Sequence, residues 1–186
     1  MDGLLILFAI LAVLGVLLVL IYNRLVALRN TTRQAWSDIE VQLKQRQDLV
    51  PQLVNTVKGY ANHESETFEA VIEARQSASA ATTVQAQAQA EGMLGQALGR
   101  LFALAEAYPE LKANTNFLQL QDQLSDIENK IAASRRFYNN AVQEYNTATE
   151  QFPAVVIAGP FNFEQREYFE APEGREMLQT PVEVTF

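Results

Sequence analysis

The chain has 186 residues, a net charge of −8, one His and no Cys. The missing Cys excludes disulfides, thiolate metal sites, Cys nucleophiles and lipidation at a Cys. The acidic balance, without any run of Lys and Arg, argues against a nucleic-acid surface, because neutralising phosphates needs clustered positive charge.

Residues 4–22, LLILFAILAVLGVLLVLIY, contain no charged residue. At about 1.5 Å per residue this run covers roughly 28 Å, close to the hydrocarbon thickness of a bilayer. A cleaved signal peptide fits less well. Met1-Asp2 offers no basic leader, the apolar run is long, and Tyr22-Asn23-Arg24 lacks the small residues of a cleavage site. The expectation is a retained single-pass anchor in contact with membrane lipid along residues 4–22, with Tyr22 at headgroup level. Arg24, Arg29 and Arg33 follow the run and no Lys or Arg precedes it. The positive-inside rule therefore puts the N-terminus outside and the rest in the cytoplasm.

Beyond the anchor, apolar residues recur at steps of three and four through Leu25, Leu28, Ala35/Trp36, Ile39 and Leu43. They continue past Pro51 to Val57 and Phe68, so the spacing predicts an amphipathic helix leading out of the membrane. Its polar face is expected to carry Arg33, Glu40, Lys44, Gln47 and Lys58. Pro51 lacks an N–H and clashes with the carbonyl four residues earlier. Either the helix kinks there, or Asp48 caps a new helix with Pro51 in its first turn.

Residues 76–90, QSASAATTVQAQAQA, read as a loosely packed turn, since only Val84 is large and apolar. A helical stripe resumes at Leu94, Leu98 and Leu101, with Gly92, Gly95 and Gly99 open to close helix approach. Tyr108-Pro109 breaks it. From about Asn114, Phe117, Leu124, Ile131, Tyr138 and Tyr145 repeat every seven residues, which predicts a long helix with coiled-coil-like packing. After Pro153 the chain is aromatic and Pro-rich, and Val182, Val184 and Phe186 alternate as in a short strand. This tail is too apolar for a solvated linker. It is expected to pack through Phe161, Phe163, Tyr168 and Phe169, on its own bundle or on a neighbouring subunit.

Chemistry finds little purchase. His63 stands beside Glu64 and Glu66, but HExxH fails at Thr67. There is no GxSxG, GxGxxG or P-loop pattern. No catalytic, cofactor-binding or metal-ligating residue is assigned, and an enzyme is not expected.

The segments YNRLVALRN (22–30), AWSDIEVQLKQRQDLVPQLVNTVKGYANHE (35–64) and AR (74–75) carry a resemblance. So do YPELKANTNFLQLQDQL (108–124), the block from Glu128 through SRRFYNNAVQEYN to 146, and YFE (168–170). Together they resemble the LemA family over nearly the whole chain; GPFNFEQREYFE is looser than the family pattern. The resemblance implies a bacterial, membrane-anchored helical bundle at the cytoplasmic membrane, with no established enzymatic activity. Some members help to build membrane compartments such as magnetosomes, and others accompany membrane metalloproteases or envelope stress.

The fold expected is therefore all-α: an anchor over 1–23, an elongated antiparallel bundle over 24–152 and an irregular tail over 153–186. The polar density of the 36–63 block, which the resemblance picks out, suggests an interaction face formed by Trp36, Asp38, Gln42, Arg46, Asp48, Asn55, Lys58, Tyr60 and His63. The expected role is a scaffold that self-associates as a homo-oligomer at the membrane. The alternative is an adaptor or regulator of another membrane protein.

Overall fold

Apolar spacing at three and four residues becomes helix along almost the whole chain. The computed structural model describes residues 2–170, and the strand expected around Val182–Phe186 lies outside the described residues. Six helices follow in order: α1 (Asp2–Lys58), α2 (Ser65–Ala80), α3 (Val84–Glu106), α4 (Pro109–Lys112), α5 (Thr115–Glu150) and α6 (Val155–Ala158). Among the described residues 83% are helical and none forms a strand, so the fold is an all-α bundle with a long apolar N-terminal helix. The chain packs as two compact units, and α1 and α5 contribute a segment to each.

The first unit takes residues up to Ser37 and Arg136–Glu167. It contains the apolar start of α1, long and apolar enough to cross a membrane, with none of its large side chains buried in protein. Past this run, Leu25 joins Tyr145 and Ala148 of α5, Ala154, Ile157 and Ala158 around α6, and Phe163. Trp36 packs on Tyr138 with ring centroids 5.4 Å apart.

Local hydrogen bonds turn the chain back along α5. Phe163 N–H donates to the Ala158 carbonyl at 2.9 Å and Asn162 N–H to the Gly159 carbonyl at 3.0 Å. Asn162 has a φ of 58°. This is a Schellman closure, with Asn in the left-handed position that short polar side chains tolerate best after Gly. It delivers Phe163 into the core, edge-on to Tyr22 at 5.5 Å and with the Arg29 guanidinium 4.9 Å over its ring. The Asn146 amide then takes both backbone groups of Arg166. Its Nδ2 donates to the Arg166 carbonyl at 2.9 Å, and its Oδ1 accepts the Arg166 N–H at 2.8 Å. Tyr138 Oη donates to the Glu167 carbonyl at 2.8 Å.

Of the described residues, the second unit takes Asp38–Arg135 together with 168–170. Its core runs from Val50, Val54 and Val57 of α1 through Phe68 and Val71 of α2 and Leu94, Leu98 and Leu101 of α3, to Phe117 and Leu124 of α5. The expected loose turn over 76–90 is instead mostly helix: α2 continues to Ala80, α3 starts at Val84, and only 81–83 turn. The reason is the alanines. Ala78, Ala88 and Ala90 are buried, so small side chains let α2 and α3 pack closely as a hairpin where large ones would hold them apart. Thr83 caps α3 by accepting the Ala86 N–H at 3.1 Å. Asn114 caps α5 through the Phe117 N–H at 3.0 Å.

The every-seventh residues of α5, from Phe117 to Tyr145, are all buried within the chain's own packing. Pro51 lies inside α1, which runs unbroken from Asp2 to Lys58, so Asp48 caps no new helix.

Asn146→Ala removes both bonds to Arg166, a loss of about 1–2 kcal/mol. Amide exchange at Arg166 and protease cleavage after it are expected to speed up while the helical content stays unchanged. Unaltered protection at Arg166 would show that the amide does not hold this segment.

Candidate functional site

A proline inside a helix leaves one carbonyl without its donor. In an unbroken α1 the Gln47 carbonyl would accept from residue 51, but Pro51 has no N–H. The second unit supplies the missing donor from another helix: Arg75 Nε of α2 donates to the Gln47 carbonyl at 2.7 Å. This bond ties α2 to α1 at the turn where the ladder is open.

The side chains of the same turn point inward. Arg46 and Gln47 are only 5% and 6% exposed, and Glu91 of α3 is 6% exposed. Arg46 Nη1 donates to Glu91 Oε2 at 3.1 Å and Gln47 Nε2 to Glu91 Oε1 at 2.9 Å. Gln87, one turn before Glu91 on α3, donates from Nε2 to Glu91 Oε1 at 2.9 Å and lies 3.1 Å from the Ala78 carbonyl of α2. Arg46 Nε lies 2.9 Å from Glu128 Oε1 of α5, a charge contact off the direction of the N–H. Gly95 stands one turn beyond Glu91. A Cβ there would come within 3.3 Å of Arg46 Nη2, so the glycine makes room for the guanidinium rather than for a helix backbone.

One carboxylate thus gathers donors from α1 and α3, and one guanidinium bridges α3 and α5. Burial pushes the Glu91 carboxyl above its ordinary range. The Gln47 hydrogen bond, the Arg46 charge and Gln87 pull it back, and Glu128 pushes it up again. An open groove runs past the cluster, lined by Gly95, Gly99, Gln121, Ser125 and Glu128 beside Arg46. The central cation is neutralised by two carboxylates and no imidazole takes part, which suits a structural tie between helices. Among the described residues no group of three His, Asp or Glu side chains is placed to hold a metal ion.

The expected interaction face is divided by this packing. Arg46 is not on the surface, because its charge is spent inside on Glu91 and Glu128. Gln47, expected on the polar face, is buried with it. Asp38, Asn55, Lys58 and His63 are exposed, and Gln42 is half-buried. Asp48 pairs with Lys44 one turn earlier on the surface of α1. Tyr60 Oη accepts from Asn114 Nδ2 at 2.8 Å. Trp36 belongs to the first unit, on Tyr138. Of the tail residues, Phe163 and Phe169 are buried, while Phe161 and Tyr168 are exposed. Gln87 and Glu91 are not singled out in the sequence, and Arg75 enters there only as part of the AR pair of the resemblance. Glu91 carried a signal, since it stands at the head of the stripe Leu94, Leu98, Leu101, where a charge must find a partner.

Arg75→Met should destabilise the protein by about 1–3 kcal/mol by orphaning the Gln47 carbonyl, and much less in a Pro51→Ala background that restores the helical N–H. Equal losses in both backgrounds, measured by denaturant unfolding, would refute the link. The raised Glu91 makes a second prediction. A carboxyl whose native pKa exceeds its unfolded value contributes stability that is complete below the unfolded value. That contribution is lost as pH rises through the native value. Unfolding free energy of the native sequence should therefore rise relative to Glu91→Gln as pH falls from neutrality through that window. The opposite slope would mean that Arg46 outweighs burial.

A LemA family model matches residues 35–186, a range that contains Arg46, Gln47, Pro51, Arg75, Glu91 and Glu128. Magnetosome protein MamQ of Magnetospirillum gryphiswaldense is 26% identical, over 86% of this chain and 69% of that protein. Magnetosome protein MamQ 2 of Paramagnetospirillum magneticum is 27% identical over the same shares. Protein LemA of Metamycoplasma hominis is 28% identical, over 81% of this chain and 69% of its own length. With four-fifths of the chain inside the family match, this protein belongs to the LemA family.

Proposed function

We propose that the protein is a non-enzymatic scaffold, anchored in the bacterial cytoplasmic membrane by residues 4–22, that associates with copies of itself. The observation that carries this reading is the exposure of every large apolar side chain from Leu4 to Leu20, on a helix of sufficient length to span a bilayer. A helix that is apolar all round needs an apolar surrounding, and within the protein it has none. Arg24, Arg29 and Arg33 favour an N-terminus outside and helical units in the cytoplasm. The apolar run and the Arg46 and Gln47 of the buried tie belong to the same helix, α1. Neither the family nor the relatives carry the name of an enzyme, and the magnetosome in the names of the two MamQ relatives fits a part in a larger assembled body.

A second reading has its own support. Asp38, Asn55 and Lys58 on α1, with His63 in the link to α2, leave a polar stretch open to solvent, which suits an adaptor for another membrane protein such as a membrane metalloprotease.

Light scattering in mild detergent separates the two. The full-length protein is expected at a defined multiple of 20.8 kDa. Loss of the multiple in a chain starting at Asn23 would place the contacts in the anchor, and persistence would place them in the helical units. A monomer in both forms would overturn self-association and favour the adaptor.

A further inference from the structure

Residues 152–161, FPAVVIAGPF, carry no charge. The short helix within them is apolar on both sides. Ala154, Ile157 and Ala158 face the core of the first unit, whereas Phe152, Val155, Val156 and Phe161 are 83%, 48%, 63% and 56% exposed. Single exposed apolar side chains are ordinary, but four of them on one uncharged decapeptide mark a contact surface.

The position of the patch names its occupant. Tyr22, which closes the apolar run of α1, meets the Phe161 ring edge-on at 5.3 Å. Ile21 shares a cleft with Phe152 and Pro153, and Arg24, one turn on, lines the same cleft. The patch therefore lies beside the last residues of the apolar run, where that run would leave the hydrocarbon. Resting on the reading of residues 4–22 as a membrane span, we propose that this patch is a second, interfacial contact with the lipid of the same leaflet. Phe152, Val155, Val156 and Phe161 enter the boundary between headgroups and acyl chains, and Arg24 faces the lipid phosphates. Apolar side chains buried to headgroup depth beside a basic residue are the chemistry of interfacial anchoring. The aromatic cluster of Tyr22, Phe161 and Phe163 sits at the level where amphipathic and aromatic rings gather. Continuity with the span favours lipid over a protein partner, since wherever the span is inserted the bilayer surface is already against the patch. The first unit would then be held at two points, by the span and by the α6 surface, instead of pivoting on one helix.

The test uses the full-length chain in vesicles of mixed phosphatidylcholine and phosphatidylglycerol. Single Trp probes are introduced into a Trp36→Phe background by Phe152→Trp, Leu14→Trp or Val41→Trp. Phe152 and Val41 are both exposed, and Val41 lies 19 residues beyond Tyr22 in the chain. With lipids brominated along their acyl chains, the probes at 152 and 14 are expected to lose most of their emission and the probe at 41 to keep it. A quenched probe at 14 with one at 152 that behaves like 41 would overturn the interfacial contact and leave the span standing. Failure at 14 would bring down the span reading as well. If the 152 probe resists both bromolipid and aqueous iodide, and becomes iodide-accessible as protein is diluted into lipid, a second copy covers the patch and the lipid assignment is wrong.

Discussion

A carboxylate can be taken out of water only if its charge is met inside, and Glu91 is the point on which the second unit turns. Arg46, Gln47 and Gln87 converge on it, and Arg46 also reaches Glu128. α1, α3 and α5 are thereby placed at one level by a single shared set of charged and amide groups. Apolar residues such as Val50, Leu94 and Leu98 provide the burial, but apolar contact is non-directional and would accept a slip of one helix along another. A buried charge would not, because a slip leaves it unpaired.

Pro51 belongs to the same arrangement. By withholding an N–H it exposes the Gln47 carbonyl inside the helix, and Arg75 completes the count from α2. The QRQDLVP block and the AR pair, far apart in the chain, meet here. Arg46 and Gln47 read as surface chemistry in one dimension and are interior structural groups in three. This is why the site suits a tie between helices better than a reaction centre: its guanidinium and its carboxylates are already engaged with one another.

The first unit presents a different kind of surface, an apolar helical run with no protein packed against it. Aromatic edges, an Arg over a ring and an Asn that imitates a neighbouring strand hold residues 163–167 along α5, while α6 keeps an apolar face outward. An apolar face turned outward gains nothing from water, and the lipid contact proposed above would cover it.

The sequence alone was enough for the all-helical character, the apolar run, the seven-residue stripe of α5 and the family, because these are carried by local spacing and by long contiguous motifs. It was not enough for the alanine-rich hairpin over 76–90, since close approach of small side chains depends on which helix lies opposite. Nor could it separate Arg46 and Gln47 from Asp38, Lys58 and His63. All but His63 are polar residues on one helix, and a polar residue's helical phase tells which way it points without telling what waits there. The partners Arg75, Glu91 and Glu128 are 29, 45 and 82 positions from Arg46 in the chain. Only the tertiary structure brings them within hydrogen-bonding or ion-pair distance of this turn, and that distance decides whether a charge is solvent-facing or a buried tie.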